Sequence, residues 1–106
     1  MNAYNKAQAI ITGIEKVQNP GEKKLASAVI SRALRDLRTL KRKKKTATEK
    51  CLTKDVIKWF NNDEIFPSSF AWYCMIIKVD HVRLRKAIML LTLHELEKLS
   101  RELNNC

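Results

Sequence analysis

The side chains best suited to binding chemistry are four basic residues within six positions, and they are His81, Arg83, Arg85 and Lys86. An arginine guanidinium can donate two parallel hydrogen bonds to a guanine edge, whereas lysine and histidine can reach phosphate oxygens or base acceptors. If the segment that follows Asp80 is a helix, these four side chains take its outward positions, together with Val82 and Met89. The pattern therefore predicts a helix that binds duplex DNA.

A second basic region lies upstream and gives most of the positive charge. Residues 22–58 contain 13 Lys/Arg against four Asp/Glu, in a chain whose formal net charge is +10. Such a charge favours a polyanionic partner, with nucleic acid first. The run 41–45 is equally compatible with a solvated helix end that contacts nothing. The predicted phosphate contacts in this region are Arg35, Arg38, Lys41, Arg42, Lys43, Lys44 and Lys45.

Catalytic and metal-binding patterns are lacking in the sequence. It has no glycine-rich phosphate loop, nucleophile elbow or carboxylate-rich cluster, so neither an enzyme nor a cofactor is expected. Cys51, Cys74 and Cys106 are too widely spaced for a Cys-x-x-Cys metal site, and His81 and His94 complete no ligand set. Unpaired cysteines favour a reducing cytoplasm, and the apolar run 88–93 is far too short to span a membrane.

The basic residues must be positioned by helices, because only two glycines and two prolines interrupt the chain. We predict an all-α, single-domain bundle of four to six helices over residues 1–106. A capping-box pattern at Thr92 to Glu95 begins a separate last helix, or else one helix runs on to Leu103. The predicted helices cover residues 3–18, 22–43, 46–62, 70–77 and 80–91.

Two further expectations concern packing. On the second helix, apolar spacing predicts a buried stripe that is widened by Ala26 and Ile30. The residues of this stripe are Leu25, Val29, Ala33, Leu37 and Leu40. The linker 65–67 is expected to be anchored to the core by its apolar side chains, with Ser68 or Ser69 capping the next helix. The aromatic residues between 59 and 73 are expected in the core, although a base-stacking platform is the alternative.

Residues 68–91 fit a helix-turn-helix-like segment, although short amphipathic helix pairs also occur in most small bundles. Lys78 is the misfit, because the first turn residue of such motifs is usually a glycine in the left-handed conformation. The other inward positions of the motif hold the expected residue types, namely a small residue where the two helices approach and apolar residues on both sides of the turn. These are Tyr73, Cys74, Ile77, Val79, Leu84 and Ala87.

The chain also resembles a group of small proteins encoded by phages and other mobile elements in bacteria. Their members are generally uncharacterised and are regarded as helix-turn-helix or phage-associated factors. The likeness covers about residues 23–88, and it departs from the family pattern at Lys78, where a glycine is usual. The matching residues are Leu25–Ile30, Ala33–Leu37, Trp59-Phe60, Asp63-Glu64, Phe66–Phe70, Cys74, Val79-Asp80 and Val82-Arg83. The resemblance implies a phage or mobile-element setting more than an activity. Together with the basic helix after Asp80, it leads us to expect a transcriptional regulator.

Alternative partners remain open at the level of sequence. Met89, Leu93, Leu96 and Leu103 could form the seam of a homodimer through a helix at 93–103, or pack against the N-terminal helix of the same chain. A basic helical protein could also be an adaptor or inhibitor that binds an acidic host protein. RNA binding through the basic run is a third alternative.

Overall fold

The computed structural model describes residues 2–13, 20–41 and 55–104, and these residues form six helical segments with no strand among them. The prediction of a small all-α bundle is therefore confirmed. The parts of the predicted helices at 14–18 and 46–54 lie outside the described residues. The segments are α1 (Ala3–Thr12), α2 (Pro20–Lys41), α3 (55–61), α4 (Phe70–Ile76), α5 (His81–Met89) and α6 (Leu93–Asn104).

The long helix α2 packs along α6, and this is the most extensive helix pair among the described elements. Two small polar residues lie buried where these helices meet. The hydroxyl of Ser31 donates to the carbonyl of Ser100 at 2.9 Å, and the hydroxyl of Ser100 donates to the carbonyl of Ser31 at 3.1 Å. Because each hydroxyl satisfies the other helix's backbone, this pair fixes how α2 and α6 align along their lengths.

The buried face of α2 differs from the predicted one at its start. Leu25 is 55% exposed, whereas Ala26 and Ile30 are fully buried. Ala33 and Leu37 lie in the core as predicted, Val29 packs partly buried against it, and Leu34 joins them. The side chain of Leu40 lies outside the described ones. The apolar spacing permits two adjacent stripes, and packing against α6 selects the one that brings the small residues of α2 inward.

The N-terminal helix α1 packs on α5 and α6. The Tyr4 hydroxyl donates a hydrogen bond to Glu102 on α6, and the Lys98 ammonium lies 5.0 Å from the centre of the Tyr4 ring. Burial, followed by the neighbouring Glu102 carboxylate, raises the pKa of Tyr4 to about 12. These contacts attach α1 to the same helix that packs along α2.

The last helix is separate from α5. The backbone N–H of Thr92 donates to the Glu95 carboxylate at 3.0 Å, and the N–H of Glu95 donates to the Thr92 hydroxyl at 3.2 Å. This reciprocal pair is the predicted capping box, so the alternative of one helix to Leu103 is wrong. Leu96 and Leu103, which we considered for a dimer seam, are fully buried within the chain, while Leu93 is partly exposed.

The linker between α3 and α4 is held by polar contacts rather than by its apolar residues. Ile65 and Phe66 are 58% and 45% exposed, so the expectation that they anchor the linker to the core is wrong. The Trp59 indole N–H donates to the carbonyl of Ser68 at 2.9 Å, and the Ser69 hydroxyl caps α4 by accepting from the Trp72 N–H. The first bond holds the backbone of the linker and the second caps α4, so the end of the linker is fixed without burying Phe66.

The aromatic residues form a packed cluster under this linker. Phe60 and Phe70 are fully buried, with ring centres 4.9 Å apart in an edge-on arrangement, and Trp59 packs edge-on against both. Edge-on pairs of this kind stabilise the core beyond the area that they bury. The expectation that these aromatic residues belong to the core is confirmed for Phe60, Phe70 and Tyr73.

Candidate nucleic-acid interface

The turn that joins α4 to α5 has a left-handed residue at its centre. Lys78 has a φ of 59°, as its position in the motif predicts. Its N–H donates to the Met75 carbonyl at 3.1 Å, and the N–H of Val79 donates to the Cys74 carbonyl at 2.9 Å. These two bonds form a Schellman motif, which satisfies carbonyls that the end of α4 would otherwise leave free. The motif thereby ends α4, and α5 begins at His81.

Asp80 starts α5 and fixes its rotation together with the core. One Asp80 carboxylate oxygen accepts from the N–H groups of Val82 and Arg83, at 3.0 and 3.2 Å. Leu84 and Ala87 face the core, as predicted, and so do Tyr73, Cys74 and Ile77 before the turn. Ile88 is fully buried as well, and the other side chains of α5 are exposed or partly exposed.

The basic side chains of α5 divide into two groups, and those of the first group contact a carboxylate of the same chain. The Arg85 guanidinium lies 2.6 Å from the Asp63 carboxylate and donates to the Phe60 carbonyl at 3.4 Å, and its side chain is only 16% exposed. The His81 imidazole nitrogen lies 3.3 Å from the same carboxylate oxygen. Arg85, helped by His81, lowers the pKa of Asp63 below its usual value. Both basic groups therefore face the loop after α3.

The second group, Arg83 and Lys86, is exposed on α5 and is joined by a lysine that the sequence pattern did not single out. Lys6 of α1 lines the same concave site of about 450 Å³, whose other lining residues are apolar. No carboxylate of the described residues lines it. We call this the α1–α5 pocket, and its lining residues are Ala3, Lys6, Arg83, Lys86, Ala87 and Leu90.

The basic residues of α2 are placed less favourably for binding an anion. Arg32 and Arg35 are exposed, but Arg38 lies 3.5 Å from the Glu97 carboxylate, which also binds Arg101 at 2.6 Å. Arg101, and then Arg38, lowers the pKa of Glu97. The described part of α2 reaches Lys41. The predicted contacts Arg42, Lys43, Lys44 and Lys45 lie outside the described residues.

A second concave site, of about 460 Å³, lies between α2 and the α3–α4 region. Trp59 and Tyr73 line it, but so do two carboxylates, Asp36 and Asp55, beside Arg32. Mixed charge of this kind does not favour a polyanion. The α1–α5 pocket is therefore the better candidate for an anionic ligand.

Thiol chemistry, a metal site and a membrane-spanning helix were each sought in the described part of the chain. The Cys74 thiol is fully buried, and burial raises its pKa to about 12, so it is not a reactive thiolate at neutral pH. No group of three or more histidine, cysteine, aspartate or glutamate residues comes together there as a metal site. None of the helices described is both long and apolar enough to cross a bilayer.

Comparison with models of known protein families, with curated proteins and with solved structures gave no match to this chain. The resemblance to phage and mobile-element proteins therefore stays a prediction. Any functional conclusion has to rest on the geometry of the site.

Proposed function

We propose that this chain binds duplex DNA, with α5 against the DNA, and that it acts as a small transcriptional regulator of the phage or mobile-element type. The observation that carries the proposal is the exposure of Arg83 and Lys86 on one side of α5, in a concave site without a described carboxylate. The formal net charge of +10 adds long-range attraction to any polyanion. The helix-turn-helix-like segment and the genetic setting are parts of this proposal.

The proposal assigns different roles to the basic residues of α5. Arg83 and Lys86 contact the DNA directly. Arg85 and His81 position the loop after α3 through Asp63, because their charged groups already have a carboxylate partner at 2.6 and 3.3 Å. The exposed Arg32 and Arg35 of α2 contribute to the long-range field, which salt screens within about a Debye length.

A pair of double variants tests this division. The first, Arg83→Gln with Lys86→Gln, removes both exposed cations. The second, Asp63→Asn with Arg85→Gln, removes an internal ion pair and leaves the net charge unchanged. Each is titrated against random-sequence duplex DNA in a mobility-shift assay over a range of salt concentrations, after thermal melting has shown that it is folded.

Two lost phosphate contacts should lower the slope of log affinity against log salt by roughly 1.8, since each contributes about 0.9. We expect that loss in the first double variant, and near-parental binding in the second. If the second loses as much affinity as the first, Arg85 contacts DNA and the assigned roles are wrong. If the parent chain does not retard duplex DNA even at low salt, the proposed function is wrong.

A protein partner is the second candidate, and one observation favours it. Leu90 is 74% exposed and lies in the α1–α5 pocket beside Arg83 and Lys86. An exposed leucine bordered by cations suits an acidic protein segment that carries an apolar anchor. This candidate would be favoured over the first if the chain bound such a protein even at high salt and did not retard duplex DNA in the mobility-shift assay.

A further inference from the structure

The α1–α5 pocket combines features that suit one particular ligand chemistry. We infer that it is a binding site for a phosphate ester, held by Lys6 together with Arg83 and Lys86. This inference rests on the proposed function, under which the occupant is a phosphodiester of the DNA backbone with its sugar. Lys6 is then a DNA contact from outside the helix-turn-helix-like segment.

The pocket is lined by basic side chains from two helices, α1 and α5. None of the ion pairs among the described residues includes Lys6, Arg83 or Lys86. Exposed cations that line one concave site attract an anion together more strongly than one of them would alone. Arg85 on the same helix differs from them, because its guanidinium lies 2.6 Å from the Asp63 carboxylate.

The shape of the pocket favours an ester over a free inorganic ion. A volume of about 450 Å³ is larger than a phosphate group needs, and the remaining surface consists of Ala3, Ala87 and the exposed Leu90. Aliphatic side chains can pack against the C–H groups of a sugar, while an arginine can bind two phosphate oxygens at once. Ala3 is also the first residue of α1, so the positive end of that helix dipole adds to the field.

The decisive variant is Lys6→Gln, and its matched control is Lys24→Gln. Lys24 is an exposed lysine on α2 that does not line the pocket, so both substitutions remove one exposed positive charge. Loss of one phosphate contact should lower the salt slope by about 0.9, which amounts to roughly an eightfold loss of affinity at 0.1 M salt if binding at 1 M is unchanged. The control should keep the parental slope.

The melting temperature of Lys6→Gln distinguishes a structural role of Lys6 from a role in binding. Because Lys6→Gln relieves repulsion and removes no ion pair, its melting temperature should equal or exceed that of the parent. A fall in melting temperature with an unchanged salt slope would overturn the inference. Equal slopes for Lys6→Gln and Lys24→Gln, in a parent that binds DNA, would overturn it as well and leave the proposed function standing.

A titration with inorganic phosphate, followed by amide resonances in NMR spectra, separates this inference from the proposed function. We expect saturable shifts at residues 6, 83 and 86 in the parent chain and none of them in Lys6→Gln. If these shifts occur but duplex DNA is not bound, the pocket is a phosphate site and the DNA proposal is wrong. If neither phosphate nor DNA is bound, both are wrong.

Discussion

Replacing Lys78 with glycine tests the most strained position of the interhelical turn. Lys78 has a φ of 59°, where the Cβ of any L-residue is crowded by the backbone. Its side chain is exposed and its backbone bonds close the Schellman motif, so a glycine keeps both hydrogen bonds. The substitution therefore changes the strain and almost nothing else in the folded state.

The size of the effect follows from two opposing contributions. A left-handed L-residue costs roughly 1–2 kcal/mol, which the glycine removes. Glycine in turn loses more backbone entropy on folding, at a cost of about 0.5–1 kcal/mol. We expect a net gain of about 0.5–1 kcal/mol, which in a domain of this size raises the melting temperature by about 2–8 °C.

The assay is chemical and thermal unfolding of the parent chain, of Lys78→Gly and of three comparison variants. Lys78→Ala removes the same charge and stem but keeps a Cβ, so it should gain nothing. Lys24→Gly introduces a glycine into a right-handed helix and should cost about 1 kcal/mol. Ser68→Gly, at a φ of 75°, offers an independent repeat of the gain. If Lys78→Gly is neutral, or if Lys78→Ala stabilises equally, the strain argument is refuted.

Two further predictions concern α6 and the core. Thr92→Ala should destabilise the protein by about 1 kcal/mol because it removes the hydroxyl that accepts from the Glu95 N–H, whereas Thr92→Ser should be near neutral in denaturant titrations. With Cys51 and Cys106 replaced by serine, Cys74 should resist a thiol alkylating reagent at pH 8 until the protein is unfolded, because it is fully buried. A loss of stability in Thr92→Ser as large as that in Thr92→Ala would contradict the first argument. Fast alkylation of Cys74 in the folded protein would contradict the second.

Features that depend on neighbouring residues could be predicted from the sequence. The caps at Ser69 and Thr92 belong to this group. Each is decided by hydrogen bonds between groups three positions apart, so the residue types are a sufficient guide. Lys78 is different, because its residue type disfavours the left-handed conformation and only its place in the helix-turn-helix-like pattern predicted it. The inward positions of α4 and α5 follow for a similar reason, because helical periodicity fixes which residues share a face.

The face that α2 buries illustrates where periodicity stops being sufficient. Two adjacent stripes are apolar enough to be buried, one beginning at Leu25 and one at Ala26. The spacing cannot choose between them, because burial of either would satisfy the same pattern. The α6 backbone makes the choice, since Ser31 and Ser100 bond across the interface only when the second stripe faces inward.

The candidate site shows the same division. The sequence by itself determined an all-α bundle, the turn before α5 and the concentration of positive charge that α5 carries. Only the tertiary structure decided which of those charges are exposed: it brings Asp63 to Arg85 and His81, and it brings Lys6 to Arg83 and Lys86. Long charged side chains pair with whatever carboxylate or cation the packing of distant segments places within a few ångströms, and no local pattern encodes that distance.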